Sequence, residues 1–192
     1  MIKNIIFDIG GIILDDSVEN LSRIFDKDMH EVYQKIYSGN FKKCLLGKLN
    51  ITEYIKEFKN DKDYKYISEI LEPSKQDIMN PLIKENYEYI CNLKNRGYHI
   101  YILSNLTKET YKHLNSLIDI NKYFDGAIFS CEVGIKKPDK EIFELIINRY
   151  NLNTNETLFF DDKERIVNGA IESGLKAKIF KSIDDVETEL IK

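Results

Sequence analysis

Ile5-Ile6-Phe7-Asp8-Ile9-Gly10-Gly11-Ile12-Ile13-Leu14 is an apolar run that reaches a lone carboxylate and then passes through two glycines. Consecutive apolar residues of this length fit a strand covered on both faces, with the acid at its carboxyl end. Glycines directly after it let the backbone turn closely against a ligand.

Similar runs recur along the chain. Strands are expected over Lys3 to Asp8, His99 to Leu103, Ala127 to Phe129, Thr157 to Phe160 and Ala177 to Phe180. Between them lie stretches of helical period, such as Ile83, Tyr87 and Ile90 before Gly97. A second is Ile142, Phe143, Ile146, Ile147 and Tyr150 after Pro138-Asp139. Alternating strand and helix predicts an α/β fold, a doubly wound parallel sheet.

Residues 16–82 break that alternation. Four helical patterns follow one another there: Val18, Leu21, Phe25; Met29, Val32, Tyr33, Ile36; Tyr54, Ile55, Phe58; and Ile67, Ile70, Leu71. Gly39-Asn40, Gly47-Lys48 and Pro73-Ser74 punctuate them as turns. The expected organisation is an α/β core of residues 1–15 and 83–192 carrying a small all-α insertion of residues 16–82.

Composition narrows the function. The 192 residues are 43% hydrophobic and 31% charged, the balance of a globular chain rather than a disordered one. A net charge of -4 provides no basic footprint for nucleic acid. No apolar stretch approaches the roughly 18 residues that span a bilayer. Met1-Ile2-Lys3-Asn4 runs straight into the first strand without the pattern of a secretory leader. These features predict a cytoplasmic protein with no membrane partner. No pattern in the chain specifies an oligomeric state.

Cys44, Cys91 and Cys131 are odd in number and widely spaced, fitting neither a disulfide framework nor a metal pair. Cys131 lies in a loop near the candidate site and reads as core or pocket lining. His30, His99 and His113 have no ligand spacing and read as structural or exposed.

Carboxyl ends of strands in an open parallel sheet converge on one crevice, so their terminal residues are read together. The first strand delivers Asp8. The second delivers Ser104-Asn105, the third leads to Lys136-Lys137-Pro138-Asp139, and the fourth delivers Asp161-Asp162. Each has an ordinary structural reading when taken alone. Asp8 also reads as a turn or cap residue, Ser104-Asn105 as a helix start, Lys137 as an exposed lysine beside a more important Lys136, and Asp161-Asp162 as a capping pair.

Asp8, Ser104, Lys137 and Asp161-Asp162 resemble, in order, the four motifs of the haloacid dehalogenase superfamily, across nearly the whole chain. The helical insertion resembles the C1-type cap that subfamily I members carry between their first and second motifs. Gly47-Lys48 followed by Thr52-Glu53-Tyr54-Ile55 is similar to that cap, and Ser130 through Phe143 to the lysine loop. The resemblance implies a Rossmann-like core and a phosphatase-like hydrolase acting on a small phosphorylated metabolite.

Elementary chemistry assigns matching roles. A carboxylate that attacks phosphorus forms an aspartyl phosphate and splits one hard displacement into two easier ones, the role of Asp8. Charge on the phosphoryl oxygens calls for a divalent ion and a lysine. Asp8, the carbonyl of Gly10 and Asp162 are the expected Mg²⁺ ligands, since hard oxygen donors suit that ion. The resemblance favours Asp162 as the direct ligand, with Asp161 behind it. Lys137 faces the phosphate from the other side, while Ser104 and neighbouring backbone N–H groups, backed by Asn105 and by the Gly10-Gly11 turn, bind its oxygens.

Two positions depart from the family pattern. The residue two after the nucleophile is usually an aspartate acting as acid and base, a contribution worth about 10²–10⁴ in rate. Here it is Gly10. Ile166 stands where an asparagine or acid usually follows the paired aspartates, and Glu164 is a weak substitute.

Three readings stay open: a Mg²⁺-dependent phosphatase, possibly of a sugar phosphate; a weak or silent member that binds a phosphorylated ligand or a protein; and a dehalogenase. Paired Asp161-Asp162 speaks against the third, and a mutase fits least. With Gly10 in place of an acid, anomeric or acyl phosphates are the favoured substrates. The tyrosines and the stretch from Phe41 to Leu46 predict a partly apolar cavity wall.

Overall fold

A computed structural model describes residues 1–191. Five parallel strands form one sheet: β1 Asn4–Phe7, β2 His99–Ser104, β3 Gly126–Phe129, β4 Thr157–Asp161 and β5 Lys176–Ile179. Their spatial order is β3-β2-β1-β4-β5, which places β1 at the centre with β2 and β4 on its flanks. The chain therefore reverses direction across the sheet beside β1, where ligand crevices form in doubly wound sheets.

Every strand residue of β1 from Ile5 is apolar, yet the two faces sort by the two-residue period of the strand. Ile5 and Phe7 pack with Ile100, Ile102, Leu158 and Phe160 under the helices Lys84–Asn95, Lys108–Leu117 and Ile183–Leu190. Ile6 packs with Tyr101, Leu103 and Phe159 under the helices Lys140–Arg149 and Glu164–Glu172. Rings of Phe7 and Phe160 stack across neighbouring strands, 5.6 Å between centroids. Complete burial of one such side chain stabilises the fold by about 1.5–3 kcal/mol.

Strand bounds differ from the sequence reading by a residue or two. Ser104 and Asp161 are polar and read as the first loop residues, but both pair within the sheet, with Phe129 and Ile179. β5 begins a residue earlier than expected, and the N–H of Phe180 still donates to the carbonyl of Asp161 at 2.9 Å. Asp8 lies just past β1, its N–H bonded to the Phe160 carbonyl at 3.0 Å. Asp8, Ser104 and Asp161 thus stand on backbone hydrogen-bonded within the sheet, not on free loops.

The elements of residues 18–79 are all helices: Val18–Phe25, His30–Ile36, Phe41–Leu45, Ile51–Lys56, Tyr64–Leu71 and Gln76–Met79, with a 3-10 turn at Pro73–Lys75. They enclose a separate apolar cluster that includes Met29, Ile36, Tyr54 and Ile67. The Ser17 hydroxyl caps the first of these helices by accepting from Asn20 N at 3.1 Å. The incoming and outgoing connections run side by side. Asp15 N–H donates to Pro81 O at 2.9 Å and Ile83 N–H to Ile13 O at 2.8 Å. The Asn20 amide ties the pair together from inside, donating to the carbonyls of Asp15 and Met79.

The helical segment also touches the sheet domain directly. Ser130 Oγ donates to Leu45 O at 2.7 Å, and Ile51 N–H to Glu109 Oε1 at 3.1 Å. No helix among the described residues is long and apolar enough to cross a membrane.

Candidate active site

The carboxyl ends of β1, β2 and β4 bring Asp8, Ser104 and Asp161 together, and the loop after β3 adds Lys137. Ser104 Oγ donates to Asp8 Oδ1 at 2.6 Å, and the N–H of Ile9 donates to the same oxygen at 2.7 Å. Lys137 Nζ lies 3.0 Å from Asp8 Oδ1 and 2.5 Å from Asp161 Oδ2, with its side chain 1% exposed. A lysine so deep, between two carboxylates, has no reading as a loop lysine. Lys136 also borders the cavity but is half-buried.

Ser104 and Asn105 do not start the next helix. Thr107 caps it, its hydroxyl accepting from Thr110 N at 3.2 Å. The Asn105 side chain is instead bonded twice to the main chain of Lys137, donating to its carbonyl and accepting from its N–H, both at 2.9 Å. This clamp fixes the lysine loop against β2, and it engages both ends of the Asn105 amide. Asp161 does not cap the next helix, which has no side-chain cap; its Oδ1 closes the turn before that helix by accepting from Lys163 N at 3.0 Å, while its Oδ2 meets Lys137.

Burial raises the cost of every charge here, and the neighbours decide the outcome. For Asp8, burial pushes the carboxyl up, but the Lys137 and Lys163 ammonium groups and the bonds from Ser104 and Lys137 outweigh it. The Asp8 carboxyl is held below the usual carboxylate range. Burial dominates at Asp161 and at Asp162 and raises both. Asp16 is pushed up to about 6 by its place deep in the crevice, with Asp162 and Asp8 adding to the effect and Lys163 opposing it.

Magnesium fits this arrangement. One oxygen each of Asp8, Asp161 and Asp162 lie within 4.8 Å of one another. Oδ1 of Asp162 is buried without a hydrogen-bond partner, an orphaned acceptor that a hard cation would satisfy. Asp8, Asp161 and Asp162 face the buried ammonium of Lys137 and the exposed one of Lys163, which leaves net negative charge that a divalent ion would offset. Gly11, at φ 70, brings its backbone against Asp162, where a Cβ would sit 2.7 Å from Oδ2.

A cavity of about 390 Å³ opens above these groups. Its far wall comes from the helical segment, chiefly Tyr33, Tyr37, Phe41 and Leu45, with Lys42 among them. The partly apolar wall expected from the tyrosines and the stretch from Phe41 is present, formed by Tyr33, Tyr37, Phe41 and Leu45. Ile166 borders the cavity and is otherwise buried in the second layer. Burial pushes the Cys131 thiol up to about 11, so it packs as an inert core residue. His30 and His99 are exposed and His113 is buried against Asp77, and none of them lines the cavity.

Two groups in the crevice escaped the sequence reading. Asp16 borders the cavity beside Gly10, and Lys163, its side chain 49% exposed, faces Asp8, Asp16 and Asp162, which together hold its ammonium above the usual range. Lys163 follows Asp161-Asp162 directly, and Asp16 closes the first apolar run as half of an acidic pair. Those adjacencies were the available signal.

Parallel order, a strand-end carboxylate at the centre and a buried lysine opposite define a Rossmann-like hydrolase site. A family model of haloacid dehalogenase-like hydrolases matches residues 2–174, and the chain belongs to that family. It is 30% identical over 173 residues to the D-ribitol-5-phosphate phosphatase of Bacteroides thetaiotaomicron, covering 84% of each chain. It is 24% identical over 186 residues to the phosphorylated carbohydrates phosphatase of Thermotoga maritima, covering 90% of this chain and 82% of that one. Among solved structures, a HAD family enzyme of Bacteroides thetaiotaomicron in its magnesium complex superposes with a TM-score of 0.76 at 21% identity. That match covers 100% of this chain and 99% of the other.

Proposed function

We propose that this chain is a magnesium-dependent phosphatase of a small phosphorylated metabolite of sugar or polyol type, working through an aspartyl phosphate on Asp8. The observation that carries the reading is the convergence on Oδ1 of Asp8 of three donors, Ser104 Oγ, Ile9 N and Lys137 Nζ. They hold the carboxylate ionised and fix its plane, leaving Oδ2 to attack phosphorus. Names of the two curated relatives support the substrate class.

Asp8, the Gly10 carbonyl and Asp162 would hold the ion, with Asp161 behind them, and magnesium supplies charge neutralisation on the phosphoryl oxygens. Lys137 neutralises the phosphate from the opposite side, and Asp161 keeps its ammonium aimed at Asp8. Ser104 and the N–H groups after it are placed to donate to a phosphoryl oxygen. Residues 16–82 act as a cap whose Tyr33, Tyr37 and Phe41 close over the part of the substrate that leaves.

Phosphate release from a panel of sugar and polyol phosphates, acetyl phosphate and p-nitrophenyl phosphate tests this reading. Turnover that needs both Mg²⁺ and Asp8 is the expected result, and Asp8→Asn removes it. Wild-type protein that releases no phosphate in magnesium would instead support the silent, ligand-binding reading.

A further inference from the structure

Gly11 lies in the left-handed region that favours glycine, but Gly10 does not, so its backbone accepts other residues. What a side chain at position 10 would meet is the carboxylate of Asp16. A Cβ there would sit 2.6 Å from Oδ2 of Asp16 and 3.1 Å from its Cγ. The space that a carboxylate two residues beyond the nucleophile would enter is thus already held by a carboxylate from another part of the chain.

We propose that Asp16 is the general acid and base of this enzyme, delivered from the connection between β1 and the helical cap into the space beside Gly10. The proposal rests on the phosphatase reading above and adds the residue that reading lacks.

Placement is the first support. Asp16 lines the same cavity as Asp8, Gly10 and Lys163, beneath Tyr33 and Tyr37. Its charged neighbours are Asp8, Asp162 and Lys163. Rigidity is the second, because an acid–base group must be held in place. Both chain neighbours of Asp16 are tied down: Asp15 N–H bonds Pro81 O at 2.9 Å, and Ser17 N–H and Oγ both donate to Oδ1 of Asp15, at 3.3 and 2.5 Å. Asp16 N–H itself donates to Leu14 O at 3.2 Å. Asp16 stands one residue beyond the paired connections, so the seating of the cap governs its position.

The steps balance with this assignment. An Asp8 oxygen attacks phosphorus, the bond from phosphorus to the ester oxygen breaks, and Asp16 gives that oxygen its proton, releasing an alcohol. Asp16, now a carboxylate, takes a proton from water as the water oxygen attacks the phosphorus of the aspartyl phosphate. The bond to Asp8 breaks, phosphate departs, and both residues return to their starting states.

Leaving-group dependence tests the proposal. In Asp16→Asn, magnesium-dependent hydrolysis of glycerol phosphate, whose alkoxide leaves poorly, should fall by about 10²–10⁴-fold. With p-nitrophenyl phosphate the same variant should release one equivalent of p-nitrophenolate in a rapid burst and then turn over slowly, because the first step needs no acid and the second still needs a base. A merely structural role would slow burst and turnover alike. The exchange Gly10→Asp with Asp16→Gly should recover glycerol phosphate hydrolysis relative to Asp16→Gly alone, which guards against a variant that misfolds. Loss of burst and turnover in equal measure, wild-type rates in Asp16→Asn, or a folded exchange variant no faster than Asp16→Gly overturns the proposal. Wild-type protein inert toward every ester would refute the phosphatase reading instead.

Discussion

Lys137 Nζ bridges Asp8 and Asp161, 3.0 Å from one carboxylate and 2.5 Å from the other, on the adjacent strand ends of β1 and β4. One buried cation therefore compensates two buried anions, and its removal strands both. Lys137→Met, close in length and uncharged, should destabilise the protein by about 3–5 kcal/mol at neutral pH, the cost of breaking a buried pair from one side. Denaturant unfolding measures it, and phosphate turnover should be lost in the same variant. A stability loss below about 1 kcal/mol would mean that the pair is screened as a surface pair is.

Gly11 and Gly134 have nearly the same left-handed backbone, φ 70 and 71, but different surroundings. A Cβ at Gly11 would sit 2.7 Å from Asp162 Oδ2, whereas one at Gly134 would meet nothing within 4 Å. Gly134→Ala should cost only the conformational penalty, about 1–2 kcal/mol. Gly11→Ala should cost more and also weaken magnesium binding by displacing Asp162, which titration calorimetry resolves. Equal effects of the two substitutions on stability and magnesium affinity would remove Asp162 from the metal site.

Crevice carboxyls give stability a pH dependence whose sign follows from linkage. Asp16 is raised from 3.8 to about 6, and Asp161 and Asp162 are raised with it by burial. A raised carboxyl favours the fold fully below its unfolded value, and that contribution is lost as pH rises through the folded value. Asp8 is depressed and works the other way, stabilising above its unfolded value and losing that contribution as pH falls. The metal-free protein should therefore lose stability as pH rises from 3.8 through about 6. Magnesium binds the ionised carboxylates, so the rise in Tm that it causes should grow across the same interval. Thermal unfolding with and without Mg²⁺ on each side of it checks both trends.

The sheet and four of the site groups were legible because apolar runs covered on both faces stand out, and each ended on a polar residue. Ser104 and Asp161 read as loop residues in the sequence because polarity at a strand end looks like a strand ending; the ladder runs through them. The Asn105 clamp on Lys137 joins residues from separate loops and leaves no local trace. Asp16 was invisible for a different reason. Asp15-Asp16 before Ser17 reads as the acidic start of a helix, and only the return of the chain at Leu82 beside Leu14 fixes it next to Gly10. With an acid restored there, the restriction to anomeric or acyl phosphates lapses, and alkyl esters such as polyol phosphates become reasonable substrates.

Trapping the phosphoryl group tests the central claim most directly. Enzyme mixed with magnesium and radiolabelled acetyl phosphate, quenched in acid and cleaved into peptides, should carry label on Asp8. Asp8→Asn should carry none. Phosphate release without any labelled enzyme, or label on a residue other than Asp8, would contradict the account.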